Sequence, residues 1–71
     1  MSELKKQFGK RLKAVRLAAK MTQEQRADCI GVTIESISNM ERGIHGPSFD
    51  SLEKISNALG IPAKTLFEFD K

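Results

Sequence analysis

Side chains able to do covalent or metal chemistry are few in this chain: one cysteine, Cys29, one histidine, His45, and nine carboxylates spread over 71 residues. A catalytic nucleophile needs a base within hydrogen-bond reach and a third group to orient that base, and one Cys with one His supplies no such set. Neither residue stands in the spacing of a zinc site, and a single Cys cannot close an internal disulfide. No catalytic residue, metal or cofactor is expected. Cys29 reads as an inert small side chain, and His45 as a solvated loop histidine or a pH-sensitive phosphate contact.

Charge is the more informative chemistry. Residues 1–26 hold eight Lys and Arg against Glu3 and Glu24, a net +6, whereas residues 27–71 hold four against seven, a net −3. A basic first third suits a polyanionic partner, because phosphate neutralisation supplies most of the sequence-independent affinity for nucleic acid. It equally suits the solvated face of an amphipathic helix, with Lys5, Lys6, Lys10 and Lys13 outward. No apolar run approaches the ~20 residues of a membrane span. The first residues enter a charged helical pattern rather than a signal peptide, so the expected location is the cytosol, with no membrane partner.

The elements that must position these groups follow from periodicity and punctuation. Leu4, Phe8, Leu12 and Val15 recur at steps of four and three, predicting a first helix from about 3 to 19. Thr22-Gln23-Glu24-Gln25 has the capping-box form and opens a second helix that Gly31 ends after Ile30. Thr33 caps a third, two turns long, burying Ile37 and Met40 and stopping before Gly43. After the turn residues Gly43 to Pro47, Ser48 caps a fourth helix with the stripe Leu52, Ile55 and Leu59, closed by Gly60. Pro62 then suits the first position of a fifth helix carrying Ala63, Leu66 and Phe67. With no period-2 alternation, the expected fold is all-α, a compact five-helix single domain over 1–71 with a helix-turn-helix at about 22–42.

The whole string Met21-Thr-Gln-Glu-Gln-Arg-Ala-Asp-Cys-Ile-Gly-Val-Thr-Ile-Glu-Ser-Ile-Ser-Asn-Met-Glu-Arg-Gly43, followed by Pro47-Ser48 and the Leu-Gly-Ile of 59–61, resembles the phage lambda repressor and Cro-like family, also called the Xre family. The resemblance covers most positions from Leu12 to Phe67. It implies a DNA-binding domain whose third helix lies in the major groove while the second crosses the sugar-phosphate backbone. By the same resemblance, Ile34, Glu35, Ser38 and Asn39 occupy base-reading positions. Gln23, Thr33, Arg42, Ile44 and His45 occupy phosphate-contacting ones, with Gln23 also bracing the recognition helix and Thr33 capping it. Arg16 and Glu41 match an internal ion pair. Side-chain chemistry then pairs Asn39 with adenine, Glu35 with cytosine N4 and Ile34 with a thymine methyl; alternatively Glu35 only supports the helix N-terminus by its charge.

The chain departs from that pattern at Arg26, where the family has leucine. An arginine there must lift its guanidinium to solvent or find a carboxylate. Double-stranded DNA and a second copy of the chain are the expected partners, with RNA polymerase as a further one the resemblance allows. The function implied is a transcriptional regulator, a repressor acting as a homodimer on a two-fold-symmetric operator. The C-terminal third is apolar beyond the needs of one small core, so Ile61, Leu66 and Phe69 are the expected self-contact residues. No ligand-sensing domain is expected to follow. The alternative is an antitoxin or other protein-interaction module of the same fold.

Overall fold

Local hydrogen bonds set the helix boundaries. In the structure, a computed structural model describing residues 3–68, the elements are α1 (Glu3–Ala18), α2 (Gln23–Ile30), α3 (Ile34–Glu41), α4 (Phe49–Leu59) and a 3-10 turn, η1 (Ala63–Phe67). The described residues contain no strand, so the fold is all-helical. The capping box at α2 is complete: the Gln25 N–H donates to Thr22 Oγ1 at 3.1 Å, and the Thr22 N–H donates to Gln25 Oε1 at 2.9 Å. Thr33 Oγ1 accepts from the Ser36 N–H and Ser48 Oγ from the Ser51 N–H, both at 3.1 Å. Each cap satisfies a donor that the helix itself leaves free.

Phe8, Leu12, Ala27, Ile30, Ile37, Met40, Ile55 and Leu66 form one buried core to which every element contributes. α1 packs against the last turn of α3 and against η1. The α3 contact is backbone to backbone: a Cβ on Gly9 would overlap the carbonyl oxygen of Met40 and come within 2.8 Å of that of Glu41. A glycine inside a helix weakens it by roughly 0.5–1 kcal/mol relative to alanine. Here it admits the close approach that seats α3 on α1.

Three expectations change. The fifth helix is only a 3-10 turn, because Pro62 provides no side-chain cap and the chain there makes i→i+3 bonds such as Thr65 N–H to Pro62 C=O. Leu4, assigned to the α1 core stripe, is 57% exposed, since the core begins one turn later at Phe8. Leu66 is fully enclosed by this chain's own core, so it cannot serve as a free self-contact residue; Ile61 is half-buried, and Phe69 lies outside the described residues. Cys29 is free and exposed on α2.

Arg26 is the odd member of this interior. Its side chain is drawn into the fold, 3% exposed, and its Nε is buried without a hydrogen-bond partner. No carboxylate among the described residues pairs with it. Desolvating a guanidinium with no fixed counter-charge opposes folding. Arg26→Leu is therefore expected to raise the melting temperature, by an amount corresponding to roughly 1–4 kcal/mol, whereas Gly9→Ala is expected to lower it by more than about 5 °C through overpacking; thermal unfolding followed by circular dichroism checks both.

Candidate nucleic-acid interface

Only three residues, Gly31-Val32-Thr33, join α2 to α3. Gly31 adopts φ 88°, a conformation that a side chain disfavours, and its N–H closes α2 on the Ala27 carbonyl at 2.8 Å. Val32 donates to the same carbonyl at 3.0 Å, which turns the chain sharply into the Thr33 cap. Two helices joined by so short a closed turn have the connection of a helix-turn-helix.

On α3, Ile37 and Met40 are fully buried and Glu41 is buried beside them, while Ile34, Glu35, Ser38 and Asn39 lie toward the other side. Ile34 is 51% exposed, Glu35 is exposed, and Ser38 and Asn39 are half-buried. Ile34, Ser38 and Arg42 follow one another at steps of four, and so do Glu35 and Asn39, which puts all five on one face. Just beyond, the Ile44 N–H donates to the Asn39 carbonyl at 3.0 Å, so the loop continues directly from that face. Ile44 and His45 are both exposed on it, and the His45 ring lies 3.3 Å from the Gly46 carbonyl.

The helix is held in place from behind by a buried network. Arg16 Nε donates to Glu41 Oε2 at 2.7 Å and Arg16 Nη2 to Glu41 Oε1 at 3.0 Å, a bidentate pair whose side chains are 10% and 3% exposed. Arg16 Nη1 donates to the Met21 carbonyl at 2.9 Å, tying in the α1–α2 turn. Gln23 Nε2 donates to Glu41 Oε1 at 3.1 Å, tying in the first turn of α2. The hydrogen bond to Glu41 is the main cause raising the Arg16 pKa above its ordinary value, opposed by desolvation and aided by the carboxylate's charge. Three helices thus converge on one carboxylate. The Met21 carbonyl and Gly9 are the members that sequence reasoning missed; an interior helix glycine seven residues before Arg16, on the same face, was the available signal for Gly9.

Among the described residues there is no group of three or more His, Cys, Asp or Glu side chains able to hold a metal, and no helix is long and apolar enough to cross a membrane. The outward face of α3 offers an amide, a hydroxyl, a carboxylate and the sec-butyl group of Ile34, side-chain types able to hydrogen-bond to or pack on the edges of DNA bases. Removing Arg16 leaves Glu41 buried and unpaired, at roughly 3–5 kcal/mol. Arg16→Ala is expected to lower the melting temperature by more than about 10 °C, while Lys13→Ala, an exposed change three residues earlier, shifts it little; equal shifts in the two melting curves would contradict the network's role.

The helix-turn-helix family model, HTH_3, matches residues 12–66. The control protein C.BamHI of Bacillus amyloliquefaciens is 40% identical over 63 residues, spanning 87% of this chain and 78% of that protein. The immunity repressor protein of Bacillus phage phi105 is 34% identical over 58 residues, 82% of this chain but only 40% of the repressor's length. Among solved structures, the restriction-modification controller protein C.AhdI from Aeromonas hydrophila superposes with a TM-score of 0.84 at 32% identity, covering 89% of this chain and 96% of that one. With a short turn between α2 and α3, an outward polar face on α3 and relatives aligned over nearly the whole length, this chain belongs to the HTH_3 family of helix-turn-helix proteins, the Xre or lambda repressor-like group.

Proposed function

We propose that this protein is a sequence-specific transcriptional repressor that binds a two-fold-symmetric DNA operator as a homodimer, with α3 in the major groove. The observation that carries this reading is the outward face of α3, presented at a fixed attitude by the Arg16–Glu41–Gln23 network. The printed names of its relatives, a control protein and an immunity repressor, agree with it. Ile34, Glu35, Ser38 and Asn39 read base edges, and Arg42, Ile44 and His45 meet phosphates from the following loop. Thr33 holds the recognition helix start close to the backbone. One N–H of the Gln23 amide is committed to Glu41, so a phosphate at α2 is met by the other N–H and by the main-chain donors of that helix end.

A single module of this size touches few base pairs, and pairing places two recognition helices about 34 Å apart on successive major grooves. Ile61 and Phe69 are the proposed contacts between copies. Occlusion of RNA polymerase is the simplest route to repression, and direct contact with polymerase is a further possibility for activation. The proposed setting is the cytosol.

A second reading has one specific observation in its favour. Phe49 is 91% exposed and lines an apolar hollow with Leu4, Phe8, Pro47, Leu52 and Phe67. That surface suits a protein partner, and the same fold would then serve as an interaction module.

Selection of bound sequences from a random duplex pool is expected to return an inverted repeat with half-sites about one helical turn apart and a steep salt dependence. Recovery of no motif, with weakly salt-dependent binding and a tight protein partner, would transfer the function to the interaction module. On the recovered operator, Glu35→Gln is expected to relax preference at one base pair per half-site, and unchanged preference everywhere removes Glu35 from the reading set. Phe69→Glu is expected to convert a sedimenting dimer to monomer; an unchanged dimer mass places the interface elsewhere.

A further inference from the structure

α1 lies across the C-terminal end of α3, and its margin there is basic. Gly9 packs on the Met40 and Glu41 carbonyls, and Arg16 reaches Glu41. One turn before Gly9, the Lys6 backbone closes on the loop: a Cβ on Gly43 would sit 3.2 Å from Lys6 Cα and 3.3 Å from Lys6 Cγ. Lys6, Gly9, Lys13 and Arg16 follow at steps of three, four and three, so they form one strip along α1. Gly9 and Arg16 are turned onto α3; Lys6 and Lys13, on the same strip, are exposed beside it. Neither lysine has an ion-pair or hydrogen-bond partner among the described residues. Arg42, also exposed, adds a third cation one residue before Gly43.

The negative end of a helix is equivalent to about half an elementary charge, so one lysine balances it. The only buried acid among the described residues, Glu41, is already neutralised by Arg16. Two further cations at the rim of the groove-facing helix exceed what the fold needs. We propose that Lys6 and Lys13 form a second phosphate-binding margin, gripping the sugar-phosphate backbone of duplex DNA alongside the phosphates met by the Arg42–His45 loop. This rests on the reading of α3 as the recognition helix. The margin adds affinity without sequence preference, because phosphates carry no base information.

The test is the slope of log affinity against log salt, measured on the selected operator and on a random-sequence duplex, for the wild-type chain and for Lys6→Gln, Lys13→Gln, the double variant and Lys64→Gln. Lys64 is exposed on η1, outside the strip of α1 that carries Lys6 and Lys13. Each lysine that meets a phosphate contributes about 0.9 to the slope. Because each substitution is present in both copies of the dimer, the expected result is a slope flattened by about two for each of Lys6→Gln and Lys13→Gln, with a severalfold loss of affinity on both duplexes, and no change for Lys64→Gln. A double variant that melts as the wild type does and keeps its slope overturns the margin while leaving the recognition-helix reading intact. So does a double variant that loses melting temperature but not slope, since the lysines then serve only the end of α3. A wild-type chain that binds neither duplex overturns both.

Discussion

The rest of the structure depends on one buried carboxylate. Glu41 ends α3, and its two oxygens take donors from α1 and α2, two of them from one planar guanidinium. A bidentate arginine pair fixes orientation as well as distance. In a chain of this length, where the core holds only eight buried apolar side chains among the described residues, such directional contacts set the attitude of a two-turn helix that has little apolar surface of its own. The cost of burying two charges is offset by complete pairing: Arg16 uses Nε, Nη1 and Nη2, and the third bond goes to the Met21 carbonyl.

That arrangement separates the supporting surface of α3 from its outward one. Ile37, Met40 and Glu41 face the protein, and Ile34, Glu35, Ser38 and Asn39 face outward from the same two turns. The outward set is not basic. Positive charge instead lies on α1 and in the loop after α3, so in the proposed complex attraction to DNA and discrimination among its sequences would reside on different elements. Glu35 sharpens this division, because its charge opposes phosphates and is useful only where a base donor meets it.

The caps made the helices legible in the sequence. Thr22, Thr33 and Ser48 each accept the expected backbone N–H, and Gly31 and Gly60 close helices where they stand. Element type failed only where the signal was a proline without a capping side chain, at η1, and core membership failed at the chain's ends, where Leu4 lies beyond the packed layer and Leu66 lies within it. The outward positions of α3 were legible by resemblance together with the period of the helix. What could not be read was the third dimension of the network. Nothing in the spacing of Arg16 and Met21 announces that a guanidinium reaches a main-chain carbonyl across a turn, nor that Gly43 rests on the backbone of Lys6. Arg26 was legible as an anomaly, and its burial without a partner gives that anomaly its physical form.

The central claim is that Arg16 and Glu41 act on DNA recognition as one unit, by holding α3. A double-mutant cycle on operator affinity tests it most directly, using Arg16→Met, Glu41→Gln and the two together, at a temperature where all four proteins are folded. The account predicts that each single change weakens binding more than about tenfold, a loss of roughly 1.4 kcal/mol or more, and that the double variant binds no worse than the weaker single, because the second change removes a contact already lost. Losses that simply add would mean that the two residues act on DNA independently, and would contradict it.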